Sequence, residues 1–169
     1  SDSERMKLAD VILPEAIILE LHANDRDDVV REMVDALAAS LKLGVDIEAS
    51  LAAAVIDRER GGTTAFGKGV AVPHATHPAV QGVVGTIARS TKGVDFRALD
   101  GEPVNLIVLL LSSPDCHDEY LAALVRVFSF VRERNLRRFL MQAIDATEIW
   151  SLILEADATL GGESSMGVL

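Results

Sequence analysis

Val104-Asn-Leu-Ile-Val-Leu-Leu-Leu111 is the longest apolar run in the chain. Eight residues with one polar member suit a strand covered on both faces at the centre of a sheet. Ser112-Ser113-Pro114-Asp115 ends it and can cap a helix. Beyond lie apolar positions at helical spacing: Tyr120, Leu121, Leu124, Val125, Val127, Phe128 and Val131. Leu136, Phe139, Leu140 and Ile144 mark a further helix, and Asp145 or Thr147 opens the last, with Ile149, Leu152 and Ile153 inside. On the other side, Asp100-Gly101 is a turn signal leading into the run. Val83 to Ala88 and Val70 to Val72 read as further strands, with His77-Pro78 in the turn between them.

The N-terminal third reads helix first. Leu8, Val11 and Ile12 form one apolar turn, which Pro14 breaks; Ala16 to Leu21 reads as a strand. Asn24 or Asp25 caps a helix carrying Val29, Val30, Met33, Val34, Leu37, Ala38 and Leu41, which Gly44 closes. Asp46 caps the next, with Ile47, Leu51, Ala54 and Val55 inward and Arg58-Glu59 on its last turns. Helices before, between and after strands predict a single-domain α/β sandwich. Its central sheet is mixed, because some connections are too short for a crossover, and helices cover both faces. The domain is expected over residues 6–157, with residues 1–5 and 158–169 as flexible termini and Met6 as the natural start.

The 169 residues carry 26 acids against 16 bases, a formal charge of −10. Nucleic acid and direct membrane insertion are therefore not expected: phosphates need a basic surface, and no apolar run approaches the ~20 residues that span a bilayer. The single cysteine, Cys116, cannot close an internal disulfide, and a reducing cytoplasm is expected.

The chemistry concentrates in Asp57–Pro78, DRERGGTTAFGKGVAVPHATHP. Pro73 holds the residue before it extended, so His74 sits just past a stiff strand end. Around it the sequence offers Arg58 and Arg60, the Thr63 and Thr64 hydroxyls, and the amides of a loop turned by Gly67 and Gly69. One imidazole, guanidinium groups, hydroxyls and amides make a cradle for a phosphoryl group on the histidine. Neutral imidazole is a good nucleophile near pH 7, and phosphoryl transfer asks a protein mainly for alignment and charge stabilisation. His74, His77 and His117 with Cys116 lack the spacing of a zinc site, so neither metal nor cofactor is expected.

Arg58-Glu59, Gly62-Thr63-Thr64, Gly67-Lys68-Gly69, Val70-Ala71-Val72 and Pro73-His74 together resemble the IIA domains of the bacterial sugar phosphotransferase system. The class is the fructose/mannitol/nitrogen-regulatory one, and the likeness runs roughly from Leu8 to Ala156. The resemblance implies that His74 is phosphorylated, with Arg58 and Thr64 near the phosphate and Thr63, Gly67 and Gly69 in support. It implies an HPr-type phosphocarrier as donor and a IIB domain as acceptor. In the nitrogen-regulatory branch the phosphorylation state of His74 would instead control binding to a regulatory target protein. A third reading is a binding module that no longer carries phosphate. It is motivated by a departure: Tyr120 occupies the slot where many relatives have a second histidine, and His117, one helical turn earlier, is the candidate substitute. Ala65, Phe66, Lys68 and Ala75 also depart from the usual pattern.

Overall fold

The computed structural model describes residues 6–166, with side-chain surroundings through residue 159. The termini expected at 1–5 and the last three residues lie outside the described part. Among the described residues four strands form one sheet: β1 (Val70–Ala71), β2 (His74–Thr76), β3 (Val83–Val94) and β4 (Val104–Ser112). The long apolar run is β4, and it is the centre. β1 and β2 lie parallel to one of its edges and β3 antiparallel to the other. The sheet is mixed, as expected. β3 is longer than the sequence indicated because its polar second half is satisfied internally. Arg89 donates to the carbonyls of Leu140, Met141 and Ala143, and the Ser90 carbonyl accepts from Asn105.

Among the described residues five α-helices cover the two faces: α1 (Arg26–Leu41), α2 (Val45–Arg60), α3 (His117–Arg132), α4 (Arg134–Gln142) and α5 (Ala146–Met166). The last helix continues past residue 157, where the sequence placed the end of the domain. Alternation along β4 divides the core. Ile107, Leu109 and Leu111 pack with Val30, Met33, Leu37, Leu51 and Val55 of α1 and α2. Leu106, Val108 and Leu110 pack with Val127, Phe130, Leu140 and Ile153 of α3 to α5. A strand with both faces buried reads as continuous hydrophobicity, which is why β4 carries no polar face.

Three expectations need correction. Ala16–Leu21 is not a strand. Pro14–Ala16 form a 3-10 turn, and the chain then touches the edge of β3 through Ile18, paired with Ala88, and the Leu21 amide. It bends at Glu20, whose carboxylate takes the Thr91 amide and the Arg89 guanidinium. Gly44 does not close α1. Lys42 does, in the left-handed region at φ 57°, and Gly44 is the N-cap of α2. Asp25 caps α1 by accepting from the Asp28 amide, whereas Asp46 lies inside the first turn of α2. Third, His74 does not merely follow a strand; it opens β2. β1 and β2 share one register against β4, with Val70 opposite Leu106 and His74 opposite Leu110. They are one strand interrupted at Val72-Pro73, where proline has no N–H to give the ladder.

Candidate functional site

His74 is half-buried at the resumption of this broken strand. Its Nδ1 lies 2.7 Å from the Val72 carbonyl oxygen. A carbonyl only accepts, so Nδ1 carries the ring proton and Nε2 keeps the lone pair. Burial pushes the imidazole below its ordinary value of 6.5. The Val72 bond and the Glu59 charge pull it up, and the Arg58 charge pushes it down. The net is a ring neutral at physiological pH, with one defined nucleophilic nitrogen.

Tyr120 of α3 stands edge-on to the ring, with centroids 6.0 Å apart and planes at 67°. The alignment slot read from the sequence is therefore a real neighbour of His74. Burial pushes the phenol up to about 12, against a smaller downward pull from Arg58. Tyr120 is thus a neutral hydrogen-bond donor across the physiological range, with no second charge state available. Arg58, exposed on the last turn of α2, donates through Nη1 to the Gly62 carbonyl at 3.0 Å. Its charge is felt at both His74 and Tyr120. It therefore caps a helix end and also supplies the positive field at the site.

The threonine hydroxyls are engaged within the loop. Thr64 is buried, and its hydroxyl donates to Glu59 Oε1 at 2.9 Å while accepting the Val72 amide at 3.1 Å. Its only proton is committed to the carboxylate, so the hydroxyl ties the loop to the broken strand. Thr63 donates to the Phe96 carbonyl at 2.8 Å and accepts from the Ala65 amide at 3.1 Å. Loop amides are likewise engaged: Thr64 N with Glu59 and Lys68 N with Asp100. Gly67, Lys68 and Gly69 all have positive φ, at 130°, 61° and 73°. This turn folds the loop so that the Gly69 carbonyl accepts both the Asn105 and Leu106 amides of β4. Glycine at 67 and 69 is the residue that adopts such backbone without strain.

His117 opens α3 with its side chain exposed, one turn before Tyr120, and hydrogen-bonds to nothing among the described residues. His77 is held away as a brace. Its Nδ1 accepts the Ala79 amide at 3.0 Å, which leaves Nε2–H to donate to Ser50 Oγ at 2.8 Å. Phe66 packs on Phe128 of α3, with ring centroids 5.6 Å apart. The arginines after α3 are structural in part: Arg137 Nη1 donates to the Val131 and Arg132 carbonyls. Among the described residues no group of three His, Cys, Asp or Glu side chains could hold a metal ion.

Glu59 is the residue that sequence reasoning passed over as a site member. It is 1% exposed, beneath the loop, and takes two hydrogen bonds from Thr64, with the Thr63 hydroxyl oxygen 3.3 Å away. The signal was present in the spacing: Glu59 follows Val55 by four and Ile56 by three, which places it on the buried face of α2.

A tethered imidazole faces a phenol, with the Arg58 charge reaching both, at the broken edge of an α/β sandwich. Similarity to known proteins gives the class: a phosphotransferase-system IIA component. Residues 10–156 match the family described as Phosphoenolpyruvate-dependent sugar phosphotransferase system, EIIA 2, and the chain belongs to that family. A Nitrogen regulatory protein of Bradyrhizobium diazoefficiens is 32% identical over 154 residues, covering 91% of this chain and 99% of that protein. The PTS system fructose-specific EIIABC component of Bacillus subtilis is 29% identical over 152 residues, 90% of this chain but 24% of that protein. The crystal structure of Nitrogen Regulatory Protein IIA-Ntr from Neisseria meningitidis superposes with a TM-score of 0.78. It is 27% identical and covers 86% of this chain and 98% of that one. No helix of the described residues is long and apolar enough to cross a membrane.

Proposed function

We propose that this chain is a phosphocarrier in which Nε2 of His74 accepts a phosphoryl group from an HPr-type phosphohistidine carrier. The observation that carries this reading is the bond from His74 Nδ1 to the Val72 carbonyl, which leaves Nε2 unprotonated and fixes the ring. The P–Nε2 bond forms as the donor's P–N bond breaks, and the electron pair of the breaking bond returns to the donor imidazole. No proton has to leave His74, because the attacking nitrogen carries none. Arg58 supplies positive charge to the equatorial oxygens, and the Tyr120 hydroxyl supplies one neutral donor. With a phenol in place of a second imidazole, the phosphorylated state gains no further cation. This favours onward transfer over storage. Thr64 and Glu59 hold the loop rather than the phosphate.

The acceptor divides two readings. In the first, the group passes to a IIB domain of a sugar transporter, as the family assignment suggests. In the second, the phosphorylation state of His74 controls binding to a regulatory target. The near full-length match to a nitrogen regulatory protein favours this second reading specifically. Incubation with phosphoenolpyruvate, enzyme I and an HPr-type carrier, followed by intact mass measurement, tests the shared step. The expected result is one acid-labile phosphoryl group on the wild type and none on His74→Ala. No gain with any carrier would leave the chain a binding module without phosphate. Adding candidate IIB domains then separates the readings, because only the first predicts loss of the group to an acceptor.

A further inference from the structure

We propose that Glu59 is a positioning residue for the reaction, one that sets the tautomer and aim of His74 through Thr64 and the Val72 peptide. The inference rests on the reading of His74 as the phosphoryl acceptor.

Glu59 is a buried carboxylate with no cation on it among the described residues. The arginines on either side of it in sequence are turned elsewhere, Arg58 to the Gly62 carbonyl and Arg60 to Asp27. Burying an unpaired carboxylate is costly unless hydrogen bonds compensate it. Here the Thr64 amide at 2.8 Å and the Thr64 hydroxyl at 2.9 Å do so. A group this expensive, placed under the loop that flanks the reacting histidine, calls for an account beyond packing.

The hydrogen bonds supply one, because they lead from the carboxylate to the Val72 N–H and from the Val72 carbonyl to the ring, the two halves joined through the Val72 backbone. Glu59 Oε1 accepts from Thr64 Oγ1, Thr64 Oγ1 accepts from the Val72 amide at 3.1 Å, and the Val72 carbonyl accepts from His74 Nδ1 at 2.7 Å. An ionised carboxylate can only accept, so it fixes the direction of the first bond. The Thr64 proton must point at Glu59, which leaves the hydroxyl lone pair for the Val72 N–H. Val72 needs that outside partner. It lies between β1 and β2 at the one place where the strand is broken, followed by a proline with no N–H. Its peptide plane is therefore oriented by Thr64, and the carbonyl of the adjoining peptide holds the imidazole. The coupling is therefore geometric: fixing the Val72 N–H restrains the backbone that aims its carbonyl. The Glu59 charge also reaches the ring, opposing part of the Arg58 field.

Glu59→Gln tests this because it keeps the size and one acceptor but changes the polarity. The glutamine amide would donate to Thr64 Oγ1, which then faces two donors and loses the acceptor for its own proton. The first readout is the pair of His74 ring nitrogens in the unphosphorylated protein, by nitrogen NMR. Wild type should show a protonated Nδ1 and a lone-pair Nε2. Glu59→Gln, with an otherwise native amide spectrum, should show mixed tautomers. Thr64→Val should behave like Glu59→Gln, and Thr64→Ser, which restores the hydroxyl, should return the wild-type ring. The second readout is phosphoryl acceptance, expected to fall roughly 10-fold or more in the first two variants because small misplacements of a reacting group are costly. A folded Glu59→Gln with the wild-type tautomer and rate overturns the proposal. Unfolding of both Glu59→Gln and Thr64→Val also overturns it, since the pair would then be plain scaffold. Failure of the wild type to take phosphate would instead strike the phosphocarrier reading and leave the ring measurement standing.

Discussion

Replacing Arg58 by alanine separates chemistry from folding at a single residue. In the fold, Arg58 is exposed and gives one hydrogen bond, to the Gly62 carbonyl at 3.0 Å, at the end of α2. An exposed bond of that kind, together with a cation at a helix C-terminus, contributes about 1 kcal/mol. For a chain of 169 residues that corresponds to a fall in Tm of about 2–4 °C. On the phosphocarrier reading Arg58 also acts in the reaction, as the cation whose charge reaches both His74 and Tyr120. A charge-assisted hydrogen bond to the transferring group is worth about 1.5–3 kcal/mol. Acceptance should therefore slow by roughly 10- to 150-fold. Quenched-flow phosphorylation by a labelled HPr-type carrier gives the rate, and calorimetry gives the Tm. Arg58→Lys keeps a point charge without the planar fork and should fall between wild type and alanine. A rate within about three-fold of wild type, a difference worth less than 1 kcal/mol, would refute the role assigned to the guanidinium. A loss of stability far beyond the helix-end contribution would refute it too.

The remaining expectations follow from the same geometry. Because burial holds the His74 imidazole below 6.5, the native state prefers the neutral ring. Its contribution to stability is full above the unfolded value and is lost as pH falls beneath it. Acceptance should accordingly hold as pH is lowered through 6.5 and decline only further down; a midpoint at or above 6.5 would contradict this. Tyr120 is the only tyrosine, so ultraviolet titration reads it alone: ionisation is expected at about 12, and higher still in Arg58→Ala, which loses the downward pull. Tyr120→Phe should slow acceptance by roughly 3- to 10-fold, the value of one neutral donor, with little change in Tm. Gly85→Ala would bring a Cβ to 2.5 Å from the Leu109 carbonyl oxygen and 2.7 Å from Leu110 Cδ2. Thermal unfolding should show a cost of about 1–3 kcal/mol or more for that overpacking.

Much of the architecture was legible because it rests on periodicity. β4 announces itself as unbroken hydrophobicity, and α1 and α3 as apolar residues at helical spacing. The broken strand was half legible. Pro73 marks the interruption, but only tertiary pairing shows that His74 resumes the same edge opposite Leu110. Ala16–Leu21 misled because it is rich in isoleucine and leucine that are genuinely packed, with Ala16, Ile18 and Leu21 entering one core and Ile17 and Leu19 the other. The bend at Glu20, fixed by Arg89 and Thr91 far along the chain, is a long-range effect that a local pattern does not carry. At the site, residue types were visible and their connections were not. The sequence placed Thr64 beside the histidine, whereas its proton is spent on Glu59. Helical phase on α2 alone would have put Glu59 inward, and Thr64, five residues on, supplies through its amide and hydroxyl the bonds a buried carboxylate requires.

Phosphorus–nitrogen NMR of the phosphorylated chain, with labelled histidine, tests the central claim most directly. The claim is that Nε2 of His74 is the atom that takes the phosphoryl group. Coupling of phosphorus to that nitrogen, with Nδ1 still protonated toward the Val72 carbonyl, is the result predicted here. Coupling to Nδ1, to His117 or to His77 would contradict it.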